Sequence, residues 1–281
     1  MKIRTTSMAA VATLACAFVP GTTMARAGDL LDDVKASHEI VVGTANEAPL
    51  SFIDPKTHEG AGALIDILKE ALKREGIDAK ATMVGMPFSS LIPAVQSGRI
   101  QLMGDAMYVR PQRREQMDFT NGIFFNPESL DVQAGNPKNL HKISDLCGHP
   151  AGTYQGTSYL ETLKKASAAC PADKPIDVHT YPTIQHVLAD LAAGRIDAAV
   201  VDSSLSAYAL KQTPSLGFEL VADFVPEDKA DTMCAFGAAK GQSDKFLDAF
   251  NKQYATMLAD GTAAKIFANY GLSPTDFFLK P

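Results

Sequence analysis

The chain has 281 residues, of which 46% are hydrophobic and 21% are charged, with 20 glycines and 16 prolines. This composition is that of a globular protein with one or two cores, and it excludes the disordered and collagen-like classes. The formal net charge of −6 argues against nucleic acid or anionic lipid as the main partner.

Residues 1–27 differ from the rest of the chain. Lys2 and Arg4 precede the uncharged run SMAAVATLACAFVPG, and an Ala-Arg-Ala site ends at residue 27. A basic start, a short apolar core and a small-residue cleavage site predict a secretory signal peptide rather than a membrane span. Cleavage there removes three basic residues and no acid, which moves the net charge from −6 to −9. We expect a soluble periplasmic protein, with a lipoprotein anchored through Cys16 as the alternative.

From residue 38 onward, short apolar runs alternate with amphipathic helices, which is typical of βα units and largely parallel sheets. The periodicity predicts, in chain order, strand 39–43, helix 63–75, strand 79–84, helix 89–96, helix 158–168, strand 177–180, helix 183–193, strand 197–201, strand 232–239, helix 243–260 and a last helix around 263–270.

Two stretches of the chain resemble each other. SLIPAVQSGRIQLMGD (90–105) and HVLADLAAGRIDAAVVD (186–202) each contain a helix, Gly-Arg-Ile and a strand ending in Asp. Glycine at the helix end of any αβ turn would explain the likeness, and two similar lobes are the alternative. The polar stretch Asp131–Asn139 between them is a natural crossing point.

No nucleotide-binding or nucleophile motif is present: the sequence lacks a Gly-rich phosphate loop, a Walker sequence, a Gly-x-Ser-x-Gly elbow and a Cys-x-x-Cys site. The six histidines, at 38, 58, 141, 149, 179 and 186, have no metal-ligand spacing. We therefore expect no metal and no other cofactor.

Three cysteines remain after the predicted cleavage. Cys147 and Cys170 bracket 22 residues, and in an oxidising compartment this pair predicts a disulfide worth roughly 3 kcal/mol. Cys234 is expected to be buried and inert.

The order of motifs resembles the extracytoplasmic solute-binding proteins that serve ABC importers of polar amino acids and related compounds. LIPAVQSGRI and the later MYVRPQRREQMDFTNGIFF are similar to the family's L-I-P-x-L-x-x-G-x-x-D, M-T-x-T-x-x-R and D-F-S/T patterns. The resemblance extends from about Glu39 to Leu272. It implies an α/β, two-lobed periplasmic-binding-protein fold (type II), with two hinge strands and the ligand in the interlobe cleft.

Domain bounds follow from the resemblance. Lobe 1 is expected at 28–133 plus 232–281 and lobe 2 at 136–229, with hinges at about 131–137 and 228–232. The resemblance further implies a monomer whose partners are a small amino-acid-like ligand and an inner-membrane ABC permease.

Three ligand contacts are implied by position. Arg113 matches the family arginine that binds a ligand carboxylate, since a planar guanidinium offers two parallel donors. Thr157 and Ser158 match a Q-G-T-T/S helix start that favours an anion, although Thr157 could simply cap the helix. Asp202 matches the acid that accepts a ligand ammonium, and an ordinary strand-end aspartate is the alternative. Arg110 is expected to be a solvated charge, as are Arg99 and Arg114.

Other positions resemble the ectoine and hydroxyectoine binders more closely. Glu47, Phe88 and Tyr108 suggest a carboxylate and an aromatic box for a delocalised cation, although both rings could be core residues. Asp202 does not fit a ligand without a primary amine, and Leu50 replaces an aromatic, so these clues disagree. A ligand with a carboxylate and a spread or doubled positive charge fits best: an ectoine-like compound, a basic amino acid or an opine.

The sequence therefore predicts the ligand-capturing component of an importer rather than an enzyme. Two other classes stay open. The fold resembles periplasmic cyclohexadienyl dehydratases, in which a cleft acid catalyses loss of water, and Glu47 or Asp202 could supply that acid. A ligand-sensing or accessory binding protein is the third class.

Overall fold

The computed structural model describes residues 28–226 and 229–273, so the predicted signal peptide and Cys16 lie outside the described residues. The helices are α1 Leu30–Ser37, α2 Ala63–Arg74, α3 Leu91–Gln96, α4 Pro111–Arg114, α5 Ser158–Ala169, α6 Ile184–Ala192, α7 Ser203–Gln212, α8 Asp244–Ala259 and α9 Thr262–Asn269. The strands are β1 Glu39–Thr44, β2 Phe52–Ile53, β3 Gly60–Ala61, β4 Lys80–Gly85, β5 Leu102–Tyr108, β6 Met117–Phe119, β7 Phe124–Phe125, β8 Glu128–Gln133, β9 Pro150–Tyr154, β10 Asp177–Tyr181, β11 Ala198–Asp202, β12 Phe218–Leu220 and β13 Met233–Ala239.

The strands form two principal sheets, each the centre of one lobe. The first lobe has the order β4-β1-β5-β13-β6, with β7 also paired to β13. The second lobe has the order β10-β9-β11-β8-β12. In each lobe three neighbouring strands are parallel, and the next strand, β13 or β8, runs antiparallel to them. This repeated layout confirms the two similar lobes, and β2 with β3 forms a separate hairpin.

The chain changes lobes at a different place from the one predicted. β8 pairs with β11 and β12 of the second sheet, so residues 128–133 do not belong to the first sheet. The first crossing therefore lies between β7 and β8, at residues 126–127, ahead of the predicted 131–137. The polar Gly-Pro stretch misled the sequence prediction, because it follows β8 as an ordinary loop. Whether either crossing bends as a hinge stays a prediction.

The helices cover both sheets because their apolar residues recur at helical spacing. In α2 the buried residues are Ala63, Leu64, Ile65, Ile67, Leu68, Ala71 and Leu72, and this face packs against β5, α8 and α9. Gly62 precedes α2 with φ of 114°, and a Cβ there would lie 2.3 Å from the carbonyl oxygen of Leu50. Only glycine allows this close approach of the two backbone segments.

The predicted elements are confirmed in type, with bounds that differ by one or two residues at most ends. The largest differences are at 89–96, where a 3-10 turn at Phe88–Ser90 precedes α3, and in β5, which continues to Tyr108. Asp105 therefore lies inside a strand rather than at its end. The elements that were not predicted are helices α1, α4 and α7 and strands β2, β3, β6, β7, β8, β9 and β12.

A disulfide joins Cys147 and Cys170, with Cα atoms 5.6 Å apart, which confirms the predicted pair. Cys234 is buried, as expected. Within the described part of the chain, no helix is long and apolar enough to cross a membrane.

Candidate functional site

A narrow cleft lies where the carboxyl ends of the parallel strands of both lobes meet, which is the usual place for ligands in open α/β sheets. Its free volume is about 10 Å³, too little for more than one water molecule. The lining residues are Phe88, Ala106, Tyr108, Arg113, Tyr154, Thr157, Ser158, Tyr159 and Asp202. Six of the seven predicted ligand-binding residues therefore come together here. The seventh, Glu47, lies close enough for its charge to interact with Asp202.

Arg113 spans the two lobes. It lies in α4, which begins at Pro111, a residue suited to the first turn of a helix. One terminal nitrogen donates to the carbonyl of Tyr108 (3.0 Å) in the first lobe, and the other donates to the carbonyl of Gly156 (2.9 Å) in the second. Burial lowers the pKa of the guanidinium. No acid of the described residues forms an ion pair with it within 4.0 Å, so it offers a charge that an anionic ligand can neutralise.

Arg110 is not the solvated charge that the sequence suggested. Its guanidinium lies 5.3 Å from the centre of the Tyr108 ring and 3.7 Å from the Asp231 carboxylate. Arg114 is exposed, and its guanidinium lies 5.9 Å from the Phe119 ring. Of the clustered arginines, Arg113 is the one that reaches the cleft.

Asp202 ends β11 and is almost completely buried. The Asn126 amide donates to its Oδ1 (2.6 Å), the Tyr154 hydroxyl donates to its Oδ2 (2.5 Å), and the Tyr159 hydroxyl lies 2.8 Å from Oδ1. Burial raises the pKa of this carboxyl to about 6, although the tyrosine hydrogen bonds favour the ionised form.

Glu47 lies in the turn between β1 and β2, where it forms an isolated bridge with Ser51. The side chain is 2% exposed, and its Oε1 atom has no hydrogen-bond partner. Burial raises the pKa of Glu47 well above its usual range, and the nearby Asp105 and Asp202 raise it further. A buried carboxyl with an unused oxygen can accept a donor from a ligand.

The helix start at Thr157 differs from a simple cap. Thr157 is at the N-cap position of α5, but its hydroxyl makes no capping hydrogen bond and donates instead to the carbonyl of Tyr154 (2.8 Å). Gly156 has φ of 85°, and a Cβ there would lie 2.7 Å from Cα of Ser89 in the first lobe. Ser158 lines the cleft as the first residue of α5, so backbone N–H groups at this end can receive an anion.

Four aromatic rings surround the cleft. Phe88 packs edge-on against Tyr154, with ring centres 5.7 Å apart, and Tyr108 packs edge-on against Tyr159 at 5.8 Å. The guanidinium of Arg113 lies 5.9 Å from the Phe88 ring. Phe88 and Tyr108 are each buried in the core and also line the cleft. Core packing and a place at the ligand site, the two alternatives that the sequence left open, are therefore compatible.

Sequence reasoning missed four polar residues of this region: Asp105, Asn126, Tyr154 and Tyr159. The tyrosines immediately flank the Gln-Gly-Thr-Ser motif, and this adjacency was the available signal. Asn126 lies in the unrecognised crossing, and Asp105 lies in a strand that was predicted to end there.

A larger groove of about 830 Å³ lies on the other side of Arg113, between α4 and α5. It is open to solvent, and its charged side chains include Arg110, Glu161 and Lys165. We assign the ligand site to the inner cleft, because the buried acids and the aromatic rings converge there. Among residues 28–226 and 229–273, no group of three or more potential metal ligands comes together.

Two similar lobes with a charged cleft between them define a bilobal binding protein. The model of the "Bacterial extracellular solute-binding proteins, family 3" matches residues 40–273, and the chain belongs to this family. It is 29% identical over 213 residues to the histidine-binding periplasmic protein of Salmonella typhimurium, covering 75% of this chain and 79% of that protein.

Other relatives agree with this assignment. The chain is 29% identical over 225 residues to the lysine/arginine/ornithine-binding periplasmic protein of Escherichia coli K12, covering 79% of this chain and 83% of that protein. It superimposes on an ancestral arginine-binding protein bound to arginine with a TM-score of 0.73 and 26% identity, over 83% of this chain and 98% of the other. These relatives are named as amino-acid-binding proteins, and the family match makes this chain an extracellular solute-binding protein.

Proposed function

We propose that this chain is the periplasmic receptor of an ABC importer and captures a small amino acid with a positively charged side chain. The observation that carries the proposal is the opposition of Arg113 to the buried acids Asp202 and Glu47 across one cleft. Arg113 would bind the ligand carboxylate, and the acids would bind its positive groups. Relatives named for histidine and for lysine, arginine and ornithine support a cationic ligand.

Ligand capture requires the lobes to move. The cleft has too little free volume for an amino acid, and contacts such as the bond from Arg113 to the Gly156 carbonyl join the two lobes. We propose that the first crossing, at 126–127, and the second crossing, which the sequence predicts at 228–232, act as hinges. A monomer that closes over its ligand would present the closed form to a permease, since each lobe contributes contacts that favour closure.

An ectoine-like ligand is a second candidate, favoured by the four aromatic rings around the cleft. Rings of Tyr and Phe attract a delocalised cation through their faces. Glu47 would then bind the ring cation while Arg113 binds the carboxylate.

A thermal-shift screen of residues 28–281 tests the proposed function. A dye readout is needed because the chain has no tryptophan. Ligand at 100 times its dissociation constant adds about 2.7 kcal/mol to the free energy of unfolding, which raises Tm by about 5 °C or more. The panel contains basic, neutral and acidic amino acids, ectoines and opines. A shift with basic amino acids supports the proposal, whereas a shift confined to ectoines would select the second candidate.

The enzymatic alternative uses the same acids. Incubation with prephenate and arogenate, followed by detection of aromatic products, distinguishes a dehydratase from a receptor. We expect no product, because the buried acids are assigned to binding a cation. If product forms and its formation is lost in Glu47→Gln or Asp202→Asn, the protein is a dehydratase and the proposed receptor function is wrong.

A further inference from the structure

One buried carboxylate beside the cleft, that of Asp105, has no part in the ligand contacts proposed above. Asp105 is fully buried in β5, next to the cleft residue Ala106. Its Oδ1 is 2.9 Å from Thr44 Oγ1, and its Oδ2 accepts a short hydrogen bond from the backbone N–H of Ala45. Asp105 thereby fixes the start of the turn that carries Glu47.

The hydrogen bonds around Thr44 require one more proton than the hydroxyl supplies. Thr44 Oγ1 lies 2.9 Å from Asp105 Oδ1 and 2.9 Å from the carbonyl oxygen of Ser51, both of which are acceptors when Asp105 is ionised. It also accepts the backbone N–H of Asn46 at 2.9 Å. A hydroxyl donates one proton and accepts two. A proton on Asp105 completes the set: Asp105 donates to Thr44, and Thr44 donates to Ser51.

A second chain of hydrogen-bonded hydroxyls also has one proton fewer than its links require. It begins at Asp202 Oδ1 and passes to the hydroxyl of Tyr159 (2.8 Å), to the hydroxyl of Tyr108 (2.9 Å) and to the carbonyl of Asn126 (2.6 Å). The three links need three protons, and the two phenols supply two. A proton on Asp202 completes this chain, with each group donating to the next.

Glu47 links the two chains electrostatically. The charges of Asp105 and Asp202 both act on its buried carboxyl, and its Oε1 has no hydrogen-bond partner. Three carboxylates in one low-dielectric region repel one another, so the site retains protons until a positive charge arrives.

We propose that Glu47, Asp105 and Asp202 form a proton-holding acid trio that releases at least one proton when a cationic ligand binds, so that affinity increases with pH. This inference rests on the proposed function and deepens it. Asp105 acts as a positioning residue: it does not touch the ligand but holds the turn that carries Glu47. When its proton leaves for solvent, Thr44 turns its hydroxyl from Ser51 to the ionised Asp105, and no covalent bond other than O–H changes.

Among the other titratable groups near the trio, Asp131 on β8 also has its pKa raised by burial, to about 7, and its charge interacts with that of Asp202. Because the trio is the source of the proton, Asp131→Asn should leave the proton release on ligand binding unchanged. The remaining groups do not replace the trio as the source of the proton. Tyr154 and Tyr159 from the second lobe and Tyr108 from β5 have their pKa values raised by burial, and the thiol of Cys234 on β13 is affected in the same way. Arg113 on α4 is the cation whose charge acts on Asp202 and lowers the pKa of its carboxyl. From the helices covering β5, α3 has no charged residue, and the acids of α2 bind Tyr270 and Arg74 instead.

The direction of the pH effect follows from the proton balance. Burial raises the pKa of Asp105 to about 7 and that of Asp202 to about 6. Below these values the ligand must displace protons from Asp105 and Asp202, and above them these two acids are already ionised. For each linked proton the dissociation constant increases about tenfold for every unit by which the pH falls below these pKa values.

Calorimetry with L-arginine as the probe measures the proton release. Titrations at pH 6.5 in phosphate and in an amine buffer, whose ionisation enthalpies differ, give the number of protons released per ligand. We expect about one proton, and an affinity at least about tenfold weaker at pH 5.5 than at pH 8. Asp105→Asn should release fewer protons and flatten the pH profile, while Asp248→Asn, exposed on α8, should match the wild type.

A measurement without ligand keeps the proposal testable if Asp105→Asn does not fold. Infrared spectra of the wild type at pH 5.5 and pH 8 should show the C=O stretch of buried protonated carboxyls at the lower pH, reduced at the higher. Arginine binding without proton release, or with equal release in Asp105→Asn, overturns this proposal and leaves the proposed function standing. No heat from arginine, lysine, ornithine or histidine at pH 8 overturns the proposed function and this proposal with it.

Discussion

The hydroxyl of Tyr159, in the second lobe, lies 2.9 Å from the hydroxyl of Tyr108, in the first lobe, and the two rings pack edge-on. This contact joins the lobes at the floor of the cleft, where both side chains are buried. It couples the closed arrangement of the lobes to the hydrogen bonds of Asp202.

Removing this contact should weaken the closed form. Tyr159→Phe keeps the ring packing and deletes the hydroxyl that bonds both Tyr108 and Asp202. A hydrogen bond involving a charged group contributes about 1.5–3 kcal/mol, so the dissociation constant for ligand should increase about tenfold or more. Calorimetry measures this change, with Tyr208→Phe on α7 as the matched control. Equal affinity in Tyr159→Phe and the control would show that the contact does not stabilise closure.

Asp131 should make the protein less stable at high pH. It is fully buried in β8, one carboxylate oxygen has no partner, and burial raises its pKa to about 7 against 3.8 for an ordinary aspartate. The folded state therefore holds the proton more tightly, so this group's stabilising contribution is complete below about pH 4 and is lost as pH rises towards 7. Asp131→Asn removes that loss.

Urea unfolding at pH 5 and pH 8 measures the Asp131 effect. The free energy of unfolding of Asp131→Asn, relative to the wild type, should increase between the two pH values by about 2–3 kcal/mol. Asp173→Asn, which changes an exposed residue, should leave the wild-type pH dependence intact. A constant difference between Asp131→Asn and wild type across this range would contradict the assignment.

The sequence was most informative about elements with strong local patterns. The amphipathic spacing in α2 and the glycine ends of α3 and α6 depend on neighbouring residues, so their positions could be read directly. Arg113 and Asp202 were found through a family resemblance, and the structure places both at the cleft. Their roles in binding stay predictions.

The missed features depend on long-range pairing. β8 could not be assigned to the second sheet, because its partners β11 and β12 lie about 70 and 90 residues further along the chain. Asp105 was invisible as a site residue because its neighbours Thr44 and Asp202 come from distant segments. Burial and charge interaction of this kind appear only when the chain is folded.

The disulfide should stabilise the second lobe. Cys147–Cys170 connects the segment before β9 to the end of α5, with a sequence separation of 23 residues. Closing a loop of this length stabilises the folded state by about 3 kcal/mol. The double variant Cys147→Ser/Cys170→Ser should unfold at a lower urea concentration, with a free energy of unfolding lower by about 3 kcal/mol. As a control, Cys234→Ala should lose the same stability as the wild type when dithiothreitol is added. An unchanged midpoint in the double variant would show that the bond contributes nothing.

The ligand is assigned to the cleft between the lobes, and Arg113→Ala tests this assignment most directly. Calorimetry with L-arginine, or with whichever cationic amino acid gives the largest thermal shift, compares this variant with Arg114→Ala, which changes an exposed neighbour on the same short helix. Loss of a buried charged partner costs about 2–5 kcal/mol, so the dissociation constant should increase at least about 30-fold in Arg113→Ala and stay near the wild-type value in Arg114→Ala. Equal affinity in wild type and Arg113→Ala would contradict the assignment of the ligand site to this cleft.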